Sequence, residues 1–225
     1  MRAILLSCLS VSLGLCVSAQ AQEKAPGTTT VRHKPLMLNP ALAKAKAPET
    51  YRAKFTTTKG VFIVEVTRAW APLGADRFYN LVKGGYFDGA PLYRVIQNFM
   101  VQFGFSPSPA ASKAWDKATI KDDPVKQSNK RGTITFATSG PNSRTTQVFI
   151  NYKDNAFLDS QSFAPFGTVV EGMDVVDNFY KGYGDGSDMG GRGPTQEKLA
   201  SQGIVYVKKS FPNLDTITSA EIVAK

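Results

Sequence analysis

The sequence predicts a mainly β protein in which about eight antiparallel strands close into a barrel with short helices over its ends. Short strand-like segments recur along the chain, and Gly, Pro and Asn turn signals separate them. Only two or three segments have the apolar spacing of a helix, and none of them is long. Hydrophobic residues make up 42% and charged residues 20% of the 225 residues, which are values typical of a globular protein.

Residues 1–21 have the pattern of a secretory signal peptide. An arginine precedes a short apolar run at 3–17, and small residues at 19–21 favour cleavage before Gln22. The apolar run is too short for an ordinary membrane-spanning helix. An uncleaved anchor and a lipoprotein signal ending at Cys16 are the alternatives. The pattern predicts an exported protein, periplasmic or secreted, with no stable membrane insertion after cleavage.

Two regions follow the signal peptide. Residues 22–50 are rich in Ala, Lys, Pro and Thr, so we expect a flexible leader without stable structure. Residues 51–225 are predicted to form one domain, and a chain of roughly 150–180 residues is long enough for a full hydrophobic core.

The predicted domain opens with a hairpin and a helix. Strands on either side of Lys59-Gly60 form the hairpin. Pro72 begins a helix that continues to about Val82, and Gly84-Gly85 ends it. The later elements are strands within 91–101 around a turn at Gln97-Asn98, mostly loop at 105–131, strands at 132–137, 147–151, 166–170 and 216–223, a helix at 173–180, and a helical turn at 196–202 stopped by Gly203.

Composition argues against several classes of function. Both cysteines, Cys8 and Cys16, lie in the signal peptide, so the cleaved protein would have no thiolate nucleophile. The only histidine, His33, lies in the leader, which excludes a Ser-His-Asp or Cys-His site and disfavours histidine-bound zinc in the domain. The formal charge of +9 is dispersed and forms no basic stripe, so nucleic acid is not an expected partner.

A few polar residues stand among large apolar ones in the middle of the chain. Arg94 and Gln102 flank Phe99 and Met100, and Phe149 lies in a similar later segment. A permanent cation beside an amide and an apolar floor suits a neutral, proline-sized ligand. It also suits a reaction in which charge shifts without a bond being broken. On spacing alone, a surface arginine and two core phenylalanines remain the alternative.

Segments 93–102, 136–151 and 157–167, in this order, resemble the cyclophilin-type peptidyl-prolyl cis–trans isomerases. The resemblance covers roughly 52–223 and implies a closed eight-stranded antiparallel β-barrel capped by two α-helices. It implies an enzyme that accelerates X-Pro bond rotation without a cofactor, and the signal-peptide pattern predicts that its substrates are exported proteins. The implied partners are proline-containing polypeptides and unfolded exported proteins. A non-catalytic proline-peptide binding module or chaperone is the alternative, and an envelope adhesion protein using the basic leader is a third.

The resemblance also implies a set of site residues. Arg94 is the essential arginine, and Gln102 supports it. The implied substrate-binding residues are Phe99, Met100, Ala137, Thr138, Gln147, Phe149, Phe157, Leu158 and Phe163. Many members have tryptophan where this chain has Phe157, and that tryptophan helps bind cyclosporin. Cyclosporin is therefore a partner expected to bind with weakened affinity.

A glycine-rich loop at 183–194 carries the one hint of a metal. Asp185 and Asp188 lie close together there, which is compatible with calcium. The two carboxylates lack the spacing of an EF-hand loop, so no metal site is predicted.

Overall fold

The structure, a computed structural model, describes residues 35–224. The predicted signal peptide and the first part of the predicted leader lie outside the described residues. Among the residues it describes, no helix is both long and apolar enough to cross a membrane. The strands of this region are β1 (Thr50–Thr57), β2 (Gly60–Thr67), β3 (Arg94–Ile96), β4 (Met100–Phe103), β5 (Thr133–Phe136), β6 (Val148–Asn151), β7 (Pro165–Glu171) and β8 (Ile217–Val223). The helices are α1 (Pro35–Leu38), α2 (Pro72–Lys83), α3 (Pro109–Trp115), α4 (Met173–Asp177) and α5 (Gln196–Ser210).

The predicted first hairpin is confirmed. β1 and β2 pair in antiparallel register from Thr50 opposite Thr67 to Thr57 opposite Gly60. Alternate residues of β1 are buried, as the period of two requires. The rings of Phe55 and Phe62, which face each other across the pair, stack with centroids 4.9 Å apart. This pair anchors the aromatic core.

All eight strands belong to one antiparallel sheet, in the order β3-β4-β6-β5-β7-β2-β1-β8. The prediction of a closed barrel is wrong. Within residues 35–224 no ladder joins β3 to β8, so the sheet is an open, curled half-barrel. A later loop, and not a strand, pairs with the outer edge of β3: Val95 N donates to Gly184 O at 3.3 Å. A single bridge, between Pro91 and Thr216, links the segments that precede the two edge strands.

The helices agree with the sequence in part. α2 begins at Pro72 as predicted and buries Ala75, Phe78, Leu81 and Val82. The expectation that residues 105–131 are mostly loop overlooked α3. That short helix depends on tertiary packing: the Trp115 side chain is buried, and its ring meets Tyr86 edge-on at 5.5 Å.

The C-terminal helix α5 contains a sharp break. Gly203 has φ of +57°, a conformation that L side chains rarely adopt, and a β-carbon there would collide with Pro107 O. Ile204 N donates to that same carbonyl at 3.1 Å. The predicted helical turn at 196–202 is therefore present and ends at Gly203, and a second helical segment follows it.

The described part of the leader differs from the expected flexible segment. Asn80 of α2 binds its backbone, with Nδ2 donating to Ala45 O at 2.7 Å and Oδ1 accepting from Ala45 N at 3.2 Å. Trp115 Nε1 donates to Met37 O at 2.9 Å, and the Met37 side chain is buried. Partners far along the chain therefore give the segment a fixed path that its composition does not predict.

The two faces of the sheet separate the core from the site. In β4, Val101 and Phe103 face the main core, whereas Met100 belongs to a different apolar cluster. In β6, Val148 and Ile150 face the core and Phe149 faces the other way. The strand period of two thus produces a core face and a site face from the same short segments.

Candidate active site

The site begins with one row of side chains across three neighbouring strands. Arg94 of β3 lies opposite Gln102 of β4, and Gln102 lies opposite Phe149 of β6. Two positions along the same strands, and therefore on the same face, Ile96 lies opposite Met100. Because side chains at every second position share a face, the ladder brings the cation, the amide and the apolar ring together.

Arg94 is held on two sides. Its Nη1 donates to Gln102 Oε1 at 3.0 Å, which is the contact predicted from the sequence. Its Nε and Nη2 donate to the two carboxylate oxygens of Asp185, at 2.6 Å and 2.9 Å. Sequence reasoning noticed Asp185 only as a weak calcium candidate. The sequence contains no signal for its contact with an arginine 91 residues away.

The amide of Gln102 is in turn held by Gln147, which is itself hydrogen-bonded to Tyr93. Gln102 Nε2 donates to Gln147 Oε1 at 2.9 Å, and the same oxygen accepts a hydrogen bond from the Tyr93 hydroxyl. Burial raises the pKa of the Tyr93 phenol, so it stays protonated and remains a donor at neutral pH. Because Gln102 Nε2 is bound to Gln147 Oε1, the amide of Gln102 is oriented with its oxygen toward Arg94.

A separate apolar cluster lies beside this polar row. Met100, Phe149 and Leu158 are buried in it, and Ile96, Phe99, Ala137 and Phe163 pack around them. These residues are not part of the main hydrophobic core. Phe149 and Phe163 meet edge-on, with centroids 5.7 Å apart. The alternative that Phe99 and Phe149 belong to the barrel core is therefore wrong, because both lie in this separate cluster.

The polar row and the apolar cluster line one cavity of about 360 Å³. Apart from Phe157, all of the site residues predicted from the sequence line it: Arg94, Phe99, Met100, Gln102, Ala137, Thr138, Gln147, Phe149, Leu158 and Phe163. Sequence reasoning missed Asp116, Met189 and Gln196, which also line the cavity. Met189 and Gln196 come from the long segment before β8, whose course the sequence leaves open.

Phe157 lies at the rim. Its side chain belongs to the short 3₁₀ helix Ala156–Gln161 and is 55% exposed. The ring stacks on Phe99, with centroids 6.0 Å apart and planes inclined by 22°. Phe157 therefore extends the apolar surface outward from the cavity.

Hydrogen bonds fix the 3₁₀ segment that carries Leu158. Asp159 Oδ2 accepts from Ser128 Oγ at 2.6 Å, and its Oδ1 accepts from both Asn129 N and Asn129 Nδ2, at 2.9 Å and 2.8 Å. Asn129 Nδ2 also donates to Phe163 O at 2.9 Å. Burial alone would raise the pKa of Asp159, but these donors outweigh it and lower that pKa below its usual value. The carboxylate thus positions two walls of the cavity.

The opposite wall offers backbone groups. Ala137 N donates to Gln147 O at 2.9 Å, which continues the pairing beyond β5. The Thr138 side chain is tied into its own turn through Ser143 Oγ at 2.8 Å. Among residues 35–224, no protein group bonds the backbone N–H or C=O of Thr138. Those groups are available to a peptide lying along the groove.

Residues 52–201 match the family of cyclophilin-type peptidyl-prolyl cis-trans isomerases. The chain belongs to this family. A peptidyl-prolyl cis-trans isomerase of Acinetobacter baylyi is 37% identical over 148 residues, which are 63% of this chain and 78% of that protein. A Streptomyces antibioticus peptidyl-prolyl cis-trans isomerase is 35% identical over 145 residues, 61% of this chain and 87% of the other. This cyclophilin is therefore an isomerase enzyme.

Solved structures agree with this assignment at the level of the fold. A Cryptosporidium parvum cyclophilin-type isomerase superposes with a TM-score of 0.57 at 17% identity, covering 78% of this cyclophilin and 99% of the other chain. A structure of the same parasite protein determined in the presence of the dipeptide Ala-Pro gives a TM-score of 0.56, also at 17% identity, with 77% and 99% covered.

Proposed function

We propose that this cyclophilin accelerates rotation about X-Pro bonds by placing Arg94 next to the prolyl nitrogen while the apolar part of the cavity holds the ring. The observation that carries the proposal is the row of Arg94, Gln102 and Phe149, in which a fixed cation borders the apolar part of the cavity. A volume of about 360 Å³ falls within the roughly 300–1,000 Å³ that is typical of ligand pockets.

The chemistry needs no bond to be broken. A peptide bond resists rotation by about 18–20 kcal/mol because the nitrogen lone pair is shared with the carbonyl. In the twisted state the nitrogen recovers its lone pair, and a guanidinium N–H directed at that nitrogen disfavours the return of resonance. Arg94 stays charged at any relevant pH and offers a planar set of donors.

The energies required are within reach of this arrangement. Uncatalysed exchange takes tens to hundreds of seconds, and reaching milliseconds requires roughly 5–7 kcal/mol. One preorganised donor in a site that excludes water supplies about 3–4 kcal/mol. Contacts that favour the twisted peptide over both planar isomers must supply the remainder. The ring contacts of Phe99, Met100, Phe149 and Leu158 and the free backbone of Thr138 would provide them.

The conditions of one comparison structure support the choice of ligand. The Cryptosporidium parvum protein was crystallised in the presence of Ala-Pro. We propose the same chemical class for this cyclophilin: extended peptides with a proline ring in the cavity and the preceding residues along the groove at Ala137 and Thr138. Phe163 makes this cavity more apolar than one with a histidine at the same position.

The test of this function is exchange spectroscopy by NMR on a proline-containing tetrapeptide. The wild-type protein is expected to accelerate exchange, and Arg94→Ala to lower the rate by a hundredfold or more while the fold survives. Arg131→Ala, which removes a surface guanidinium paired with Asp177, is the control and should retain full rate. Peptide binding without faster exchange in the wild type would favour the non-catalytic binding module instead.

We also propose that this is a bacterial cyclophilin of the exported type that acts on unfolded proteins outside the cytoplasm. The support is the signal-like pattern at 1–21 and the absence of cysteine after it. N-terminal sequencing of the protein from its native host should then begin at Gln22. An intact Met1 in a cytoplasmic fraction would contradict the proposal.

A further inference from the structure

The loop between α4 and α5 reaches the catalytic edge of the sheet. Besides the bond from Val95 N to Gly184 O, this loop closes on itself: Gly193 N donates to Asp185 O at 2.7 Å, and Ser187 N donates to Gly193 O at 3.0 Å. Gly184 has φ of +62°, which L side chains rarely adopt. The resulting turn places Asp185 directly beside Arg94.

The ion pair between Asp185 and Arg94 has a constrained geometry. Both carboxylate oxygens accept from different nitrogens of the same guanidinium, and Oδ1 also accepts from Gly186 N at 2.7 Å. The side chains are only 19% exposed for Arg94 and 26% for Asp185. A bidentate pair fixes the plane of the guanidinium as well as its distance.

The donors of Arg94 divide between protein and substrate. A guanidinium has five N–H groups in a rigid plane. Asp185 takes two of them and Gln102 takes a third, counting partners among the described residues. Two N–H groups, one on Nη1 and one on Nη2, remain for a peptide. Because the plane is fixed, the direction of the two remaining donors is fixed too.

We propose that Asp185 is a positioning residue for the isomerisation, and that the loop at 183–195 serves to deliver its carboxylate to Arg94. This inference rests on the catalytic role proposed for Arg94. Asp185 does not touch the substrate; it stabilises the guanidinium orientation that meets the twisted amide. Its loss should therefore lower kcat much more than it raises KM, since binding of the proline ring depends on the apolar part of the cavity.

The carboxylate is in the required charge state at working pH. Burial alone would raise the pKa of Asp185, but the hydrogen bonds and charge of Arg94 and the N–H of Gly186 outweigh it and lower that pKa below 3.8. Asp185 is thus ionised at neutral pH and holds Arg94 at any pH at which the enzyme would be assayed.

A matched control exists elsewhere in the fold. Arg68 and Asp76 form a pair with the same two nitrogens, Nε to Oδ1 at 2.8 Å and Nη2 to Oδ2 at 2.9 Å. Their side-chain exposures are also 19% and 26%. This pair lies outside the cavity, so Asp76→Asn removes an equivalent bidentate ion pair without altering the site.

The experiment compares Asp185→Asn with Asp76→Asn in the purified protein, with wild type and Arg94→Ala as references. Asparagine keeps the size of the side chain but faces one arginine N–H with its own amide N–H, so the bidentate contact is lost. We expect Asp185→Asn to lower kcat at least tenfold with KM changed less than threefold. Asp76→Asn should retain kcat within twofold.

A second readout does not depend on activity. The Arg94 Nε–H signal in nitrogen-15 NMR should exchange with water at least tenfold faster in Asp185→Asn and be unchanged in Asp76→Asn.

A wild-type kcat and wild-type exchange in Asp185→Asn would overturn the inference, and so would a raised kcat, since the carboxylate would then restrain catalysis. If the wild type itself is inactive, the proposed function and the catalytic part of this inference fail together. If the wild type is active and Arg94→Ala is impaired, but Asp185→Asn matches wild type in kcat and in exchange, this inference alone fails.

Discussion

Arg94 and Gln102 are directly opposed residues of the β3–β4 ladder, and Arg94 Nη1 donates to Gln102 Oε1 at 3.0 Å. The backbone register itself therefore decides that the amide meets the guanidinium. The orientation of the amide comes from Gln147, whose oxygen accepts from Gln102 Nε2. Support for the cation thus begins in the sheet and ends in a loop, at Asp185.

Removing the amide should weaken catalysis without unfolding the protein. In Gln102→Ala, Arg94 loses one of its two supports, and we expect kcat/KM to fall about tenfold, or roughly 1.4 kcal/mol. NMR exchange spectroscopy measures the rate, and circular dichroism checks the fold. Gln127→Ala, at an exposed glutamine, is the control and should match wild type. An unchanged rate in Gln102→Ala would show that Asp185 alone suffices to hold the arginine.

The apolar cluster of the cavity and the main core should respond differently to the same substitution. Phe149→Leu and Phe136→Leu each shorten a buried phenylalanine in adjacent strands, and each should cost on the order of 1–2 kcal/mol of unfolding free energy. Only Phe149 lines the cavity, so only its variant should bind a proline peptide at least fivefold more weakly. Equal binding by the two variants would mean that the ring is not bound there. Denaturant unfolding and peptide titration measure the two effects.

Phe157 offers a test of cyclosporin binding. Its exposed ring at the rim stacks on Phe99 and leaves room for a larger ring at the same place. Phe157→Trp adds apolar area and an indole N–H donor, so we expect the Kd for cyclosporin to fall tenfold or more. Isothermal titration measures it. Tyr79→Trp, at a partly buried ring of α2 that packs on the main core and does not line the cavity, is the control and should leave the Kd unchanged. Equal affinities of wild type and Phe157→Trp would contradict the prediction.

The stability of the cavity wall should depend on pH through Asp159. Its folded pKa is lowered, so its contribution to the free energy of unfolding is fully present above the ordinary value of 3.8. The contribution is lost as the pH falls from there through the lower folded value. Wild type should therefore exceed Asp159→Asn in stability by a constant amount between pH 5 and 8, and the difference should shrink below about pH 4. A difference that does not shrink as the pH falls below 3.8 would refute this. Urea unfolding at each pH provides the measurement, and Asp154→Asn, at an exposed aspartate, is the comparison.

Most of the elements could be predicted because their signals are local. The turn at Asn98, with φ of +59°, and the helix that begins at Pro72 follow from conformational preferences of single residues. α3 and the path of residues 36–49 could not be predicted, because Trp115 and Asn80 fix them through contacts with distant parts of the chain. Local propensity contains no information about such partners.

By itself, the sequence determined which groups can act. It places Arg94 and Gln102 on either side of Phe99 and Met100, and it has no cysteine or histidine in the predicted domain at 51–225. Strand periodicity determined only that alternate residues of one strand, such as Arg94 and Ile96, share a face, and the pairing of β3, β4 and β6 then placed Arg94, Gln102 and Phe149 in one row. Only the tertiary structure decided that the sheet stays open and that Asp185 holds Arg94. The physical reason is that a loop contact across 91 residues depends on where the whole chain runs, which no local preference specifies.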